Sequence, residues 1–143
     1  MLKLPQDFID SVNRALPSNE VDDLILAIQE SPKVSIRLNA SKGITSNGFL
    51  NDTLGSPIAH CPDGYLLNTR PLFTADPAFH AGAYYVQEAN SMMIGELVKR
   101  IINNYDEGAV VLDLCASPGG KSTHVATNLR AGDLLVANEV ISG

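Results

Sequence analysis

The stretch from Gly108 to Lys121, GAVVLDLCASPGGK, decides the fold of this chain. An apolar run from Ala109 to Leu112 leads through Asp113 into small residues, a proline and two glycines. A short apolar run without polar alternation predicts a strand that is buried on both faces, as in a parallel sheet covered by helices. The small residues that follow predict a loop at the end of this strand.

The residues after the loop complete a strand–helix–strand unit. Residues 121–129 have the pattern of a helix, and residues 133–138 predict a second strand that ends directly before Glu139. Open parallel sheets bind ligands at the carboxyl ends of their strands, and a carboxylate about 20 residues after the loop commonly holds ribose hydroxyls. Glu139 has that spacing, so the unit predicts a nucleoside-containing ligand.

Two common nucleotide motifs fit this loop poorly. The dinucleotide pattern G-x-G-x-x-G is absent, since the close glycines are the adjacent pair Gly119 and Gly120. The phosphate-loop pattern G-x-x-x-x-G-K-[ST] matches only at its end, because Cys115 replaces its first glycine and Pro118 interrupts the run of N–H donors. The residues therefore favour an adenosine-containing ligand with little or no phosphate.

The segment from Asp113 to Ser122 resembles the S-adenosylmethionine motif of the RNA 5-methylcytosine methyltransferases, the family of Nop2, Sun and the bacterial 16S rRNA enzymes. Asn138-Glu139-Val140 is similar to the second motif of that family, whose acidic residue binds the cofactor ribose. The resemblance implies S-adenosyl-L-methionine as cofactor, with Glu139 on the ribose hydroxyls. It also implies a methionine and ribose side lined by Cys115, Ala116, Ser117, Pro118, Gly119, Gly120 and Lys121.

Two upstream segments carry further resemblance. Gly82, Gln87, Glu88 and Ser91 match the Gly-x-x-x-x-Gln-Glu/Asp-x-x-Ser segment, which in the family leads into the catalytic domain and lies beside the cofactor. From the residues alone, Ser91 or Asn90 predicts a cap for the helix that follows.

The other segment is an alternating strand at residues 34–39, similar to the family's Arg-x-Asn strand. Its alternation predicts one solvent-exposed face that carries Arg37 and Asn39. A solvated strand face and a structural or RNA-side polar contact both remain open for this pair.

The remaining residues predict an amino-terminal α+β region. Two amphipathic helices occupy the first thirty residues, and Pro62-Asp63-Gly64 predicts a turn between short strands at 57–60 and 65–67. A helix that starts at Met92 has an apolar stripe predicted to be core, and His124 is predicted at the surface. With the resemblance, the fold class is α/β. We expect residues 1–80 to form a small α+β subdomain and residues 81–143 to form the start of a truncated Rossmann-like methyltransferase sheet.

The composition limits the class of protein. Of the 143 residues, 45% are hydrophobic and 18% charged, and no apolar run approaches the ~20 residues that span a bilayer. We therefore expect no membrane insertion. Cys61 and Cys115 lack the spacing of a disulfide framework or a metal site, so we also expect no metal and a cytoplasmic location. The net charge of −6 is unfavourable for RNA, so we expect the main RNA surface beyond residue 143.

The resemblance implies methylation of cytosine C5 in ribosomal RNA, with 16S rRNA as the expected substrate, either free or within the assembled small subunit. In that chemistry a cysteine thiolate adds to carbon 6 and makes carbon 5 nucleophilic. The family's two catalytic cysteines lie in segments expected beyond residue 143. The chain by itself is therefore predicted to hold no catalytic residue and to be inactive. A methyltransferase of another substrate class and a noncatalytic RNA-binding module remain alternatives.

Overall fold

The computed structural model describes residues 3–44 and 53–140. The chain divides into two compact units, Met1–Lys33 and Val34–Gly143. The first unit consists of the two predicted helices, α1 (Gln6–Ala15) and α2 (Ser18–Gln29). The fixed φ of Pro17 suits the position directly before the first residue of α2, where no helical N–H is needed. The predicted boundary between residues 80 and 81 stays a prediction.

The second unit begins with a four-stranded antiparallel sheet in the order β2-β3-β1-β4. The strands are β1 (Ser35–Leu38), β2 (Leu54–Ile58), β3 (Cys61–Leu67) and β4 (Tyr84–Val86). Ile36 and Leu38 of β1 form the core of this sheet with Tyr84, and each is at most 3% exposed. The short helix α3 (Pro77–His80) precedes β4 and is capped by Asp76, whose carboxylate accepts from Ala78 N.

Two predictions about this sheet were wrong. All four residues of β1 are buried, so Arg37 is not on a solvent-exposed face, and its guanidinium is hydrogen-bonded inside the unit. Pro62-Asp63-Gly64 lies within β3, and the turn between β2 and β3 is at residues 59–60. Gly64 serves close packing, since a Cβ there would lie 2.8 Å from Met92 Sδ.

The predicted strand–helix–strand unit is confirmed. It consists of β5 (Val110–Asp113), α5 (Gly120–Thr127) and β6 (Leu134–Ala137), and α4 (Met93–Ile102) precedes it. The strands pair in parallel from Val110↔Leu134 to Asp113↔Ala137. The predicted α/β class is therefore correct. No helix in residues 3–44 or 53–140 combines the length and apolar character that crossing a membrane requires.

Burial in this part of the unit differs from the predictions in three places. The strand β5 is not covered on both faces, because Val110 is 73% and Leu112 57% exposed. The apolar stripe of α4 is only partly core, since Ile102 is buried whereas Ile101 is exposed. His124 is not a surface residue and is 3% exposed, because its ring lies directly against Gly95 of α4, where a Cβ would be 2.4 Å from three ring atoms.

Candidate functional site

The glycine-rich loop lies at the carboxyl ends of β5 and β6, held by backbone hydrogen bonds between the two strand ends. Asn138 N donates to Asp113 O at 2.8 Å, and Ala116 N donates to Asn138 O at 2.9 Å. One residue further along, Ser117 N donates to Glu139 Oε2 at 3.1 Å. The structure therefore brings the loop and the predicted ribose carboxylate together, as the parallel pairing of the strands requires.

Side-chain contacts set the path of the loop into α5. Asp113 accepts from Cys115 N at 3.1 Å and from Ser122 Oγ at 2.6 Å, so a single carboxylate links the strand end to both sides of the loop. Gly119 has a φ of 100°, in the left-handed region that favours glycine, directly before the first residue of the helix. Asp113 and Ser122 thus shape the loop from outside the predicted set of site residues.

A cleft of about 160 Å³ lies between this loop and the part of the chain that contains the end of β4 and the segment after it. From the loop side it is lined by five of the eight predicted residues: Ala116, Ser117, Pro118, Gly120 and Lys121. From the other side come Tyr85, Val86, Gln87, Glu88 and Ser91. The remaining predicted residues, Cys115, Gly119 and Glu139, do not line this cleft, and Cys115 borders an apolar cavity beside α4.

Glu88 organises the backbone on the far side of the cleft. Its carboxylate accepts from Asn90 N at 3.0 Å and from Ser91 N at 2.9 Å, at the start of the turn that leads into α4. These hydrogen bonds hold the pKa of Glu88 below its usual value, with the Asn90 N–H as the largest cause. The cap is therefore the acidic residue, and the prediction of Ser91 or Asn90 as cap was wrong.

Tyr85 connects the amino-terminal sheet to the loop, a role that the sequence did not indicate. Its hydroxyl donates to Pro118 O at 2.7 Å, and its ring lies against Gly120, where a Cβ would be 3.3 Å from Tyr85 Cε1. The glycine is thus needed for close approach of a tyrosine ring as well as for the loop itself. Tyr84 and Tyr85 are adjacent in β4, and the sequence does not indicate which of the two rings makes such a contact.

Arg37 makes a second connection between the sheet and the loop region. It is 4% exposed, and its Nε donates to Gln87 Oε1 at 3.0 Å while its Nη2 donates to Thr123 Oγ1 of α5 at 3.0 Å. Burial lowers the pKa of Arg37, although a guanidinium remains charged at any pH where the protein folds. Of the two open readings of this residue, the structure supports a structural polar contact.

Cys61, Glu96 and His124 form a group that could hold a metal ion. Their ligand atoms lie within 4.8 Å of one another, and Cys61 Sγ is 3.9 Å from His124 Nε2. Burial, followed by the positive charges of Arg37 and Lys99, lowers the pKa of His124 to about 4. The positive charges of Arg37 and Lys99 also disfavour the binding of a metal cation beside His124. The expectation that the chain has no metal site stays a prediction.

Curated relatives of this chain are named "Ribosomal RNA small subunit methyltransferase F". The protein from Pectobacterium atrosepticum is 33% identical over 95% of this chain, which covers 29% of that relative. The protein from Shewanella pealeana is 31% identical over 97% of this chain, which covers 33% of it. The chain thus spans about a third or less of the length of these relatives.

Solved structures share the fold. "Crystal Structure of PH0851" superposes with a TM-score of 0.81 at 24% identity, and covers 96% of this chain, which in turn covers 31% of that chain. A methyltransferase homologue from Pyrococcus horikoshii superposes with a TM-score of 0.67 at 22% identity, again over 96% of this chain. Likeness at this level of identity bears on the fold, and here it matches the fold predicted for a methyltransferase fragment.

A family match covers the two helices, the four-stranded sheet and four of the five residues that line the cleft opposite the loop. The matching family is described as the N-terminal domain of 16S rRNA methyltransferase RsmF, and the match extends over residues 4–89. Because this match covers more than half of the chain, it establishes the family without reference to the glycine loop. The chain belongs to the family of the N-terminal domain of 16S rRNA methyltransferase RsmF.

Proposed function

We propose that this chain carries the first part of an S-adenosyl-L-methionine site that serves methylation of cytosine C5 in ribosomal RNA, within the cytoplasm. The observation that carries the proposal is the 3.1 Å hydrogen bond between Ser117 N and Glu139 Oε2. It brings an acidic residue at the end of β6 next to a glycine-rich loop at the end of β5. That is the place in a parallel sheet where an adenosine ligand has access to both.

The proposed roles of the predicted residues follow from this geometry. The Glu139 carboxylate would accept from the ribose hydroxyls, and the loop from Cys115 to Lys121 would lie along the ribose and methionine. The names of the related proteins, which are ribosomal RNA methyltransferases, support ribosomal RNA as the partner. S-adenosylmethionine would supply the electrophilic methyl group, and what the described residues contribute is binding and orientation of the ligand.

The chain's own cysteines do not suit the role of catalytic thiolate. Cys61 is buried at 1% exposure, and burial raises the pKa of its thiol, which suppresses the reactive thiolate. Cys115 is exposed, but it borders the apolar cavity beside α4 and not the cleft. We therefore propose that the catalytic cysteines belong to the parent protein outside residues 1–143, and that this chain alone transfers no methyl group.

Binding can be tested by titrating the ¹⁵N-labelled chain with S-adenosylmethionine and following its amide resonances. We expect the N–H resonances of Ala116, Ser117 and Gly120 to shift together. Glu139→Gln should weaken binding about 10- to 100-fold, because a hydrogen bond to a charged group contributes about 1.5–3 kcal/mol. Glu107→Gln, an equivalent change outside the carboxyl ends of the strands, is the matched control and should leave affinity unchanged.

The result that contradicts the binding proposal is an absence of shifts at millimolar ligand, or shifts that cluster away from the loop. Catalysis is tested separately, by incubating the chain with ribosomal RNA and S-adenosylmethionine that carries a labelled methyl group. No labelled 5-methylcytosine is expected. Its recovery would show that the chain holds a catalytic residue that we have not identified.

A further inference from the structure

One buried donor beside the cleft has no hydrogen-bond partner among the residues that the structure describes. Gln87 is 5% exposed, and its Nε2 is one of two buried side-chain polar atoms in the described part of the chain that make no hydrogen bond. A buried amide N–H that stays unpaired destabilises the folded chain. Such a cost is expected to be offset by a bound molecule that supplies an acceptor.

The orientation of the Gln87 amide follows from its partner. Arg37 Nε lies 3.0 Å from the amide oxygen, and a guanidinium N–H can only donate. The oxygen must therefore face Arg37, and the amino group must point the other way. The backbone of Gln87 is held as well, since its N donates to Ser35 O at 3.2 Å and its O accepts from Ser35 Oγ at 2.6 Å.

The position of the side chain ties it to the glycine loop. Gln87 lines the cleft together with Lys121, and a Cβ on Gly120 would lie 3.8 Å from Gln87 Cγ and Cδ. The side chains of Gln87 and Lys121 thus border one small cleft. Ser117, which also lines the cleft, bonds the Glu139 carboxylate.

We propose that Gln87 is a ligand-binding residue whose Nε2 donates to the α-carboxylate of the methionine part of the cofactor. This inference rests on the proposed function, because it assumes that S-adenosylmethionine occupies the cleft. Arg37 is then a positioning residue, which acts through Gln87 by holding the amide oxygen.

The test compares two ligands and one isosteric variant. S-adenosylhomocysteine carries the α-carboxylate, whereas 5′-methylthioadenosine keeps the adenosine and the sulfur but lacks the amino and carboxylate groups. Gln87→Glu keeps an oxygen towards Arg37, so the fold should be retained, and it replaces the free donor by a negatively charged acceptor. Gln29→Glu in α2 adds the same charge elsewhere and serves as control. Affinities are measured by NMR titration of each protein with each ligand.

We expect the wild-type chain to bind S-adenosylhomocysteine at least tenfold more tightly than 5′-methylthioadenosine. Gln87→Glu should lose tenfold or more of the affinity for S-adenosylhomocysteine and stay within twofold for 5′-methylthioadenosine, while Gln29→Glu changes neither. Equal affinity of the wild type for both ligands overturns the inference and leaves the proposed function standing. An equal loss for both ligands in Gln87→Glu, or no loss for either, overturns it too. If the wild type binds neither ligand, the proposed function itself fails.

Discussion

Gly95 of α4 lies against the buried ring of His124, and its replacement by alanine tests this packing. A Cβ at position 95 would be 2.4 Å from Cγ, Cδ2 and Nδ1 of the ring, far inside ordinary contact distance. The ring is also confined on its other edge, because His124 Nε2 lies 3.9 Å from the buried Cys61 sulfur. A methyl group added at this glycine therefore forces the ring or the helix to move.

Two opposing effects determine the size of the change in stability. Replacing a glycine inside a helix by alanine stabilises the helix by about 1 kcal/mol. Adding a methyl group to a closely packed contact costs about 1–3 kcal/mol. Since three ring atoms are affected at once, we expect the steric cost to be the larger, so that Gly95→Ala lowers the free energy of unfolding by about 1–2 kcal/mol.

The assay is urea unfolding followed by circular dichroism, applied as a double-mutant cycle with His124→Ala. Once the ring is removed, the added methyl group has room, and Gly95→Ala should then be neutral or stabilise by up to about 1 kcal/mol. The two substitutions should thus show a coupling of about 2 kcal/mol, as residues in contact do. If Gly95→Ala raises the stability of the wild-type chain, the packing described for α4 and α5 is wrong.

Three further predictions use other parts of the second unit. A thiol reagent should modify Cys115 rapidly in the folded chain and reach the buried Cys61 only after urea is added. Mass spectrometry should therefore detect one labelled thiol before unfolding and two after it. The side chain of Arg130, followed by backbone N–H groups, holds the pKa of Asp133 below its usual value of 3.8. The stabilisation that Asp133 provides is therefore full above pH 3.8 and is lost as the pH falls below that value. The difference in unfolding free energy between the wild type and Asp133→Asn should shrink over the same pH range in acid titrations. Glu88→Ala removes the acceptor of two backbone N–H groups and should lower the urea-unfolding free energy by about 1 kcal/mol; an unchanged midpoint would contradict this capping role.

The strand–loop–helix–strand unit could be predicted from the sequence because its signals are local. An apolar run, two adjacent glycines and a second apolar run at the right spacing define β5, the loop and β6, and Glu139 lies two residues after the second strand. Parallel pairing then brings the two strand ends together with no further information. Pro62-Asp63-Gly64 shows the limit of local signals. These three residues favour a turn, but they lie within β3, where Gly64 packs against Met92.

By itself, the sequence determined the strand–loop–helix–strand unit and where the loop and Glu139 lie along it, because hydrophobic periodicity and glycine placement act over a few residues. Only the tertiary structure decided the second side of the cleft. Arg37 of β1 lies 50 residues from Gln87, and it becomes the partner of that amide only when β1 and β4 pair. The burial of His124 depends in the same way on α4 packing against α5. Which polar groups end up buried, paired or left for a ligand is settled by contacts between distant segments, which no local pattern records.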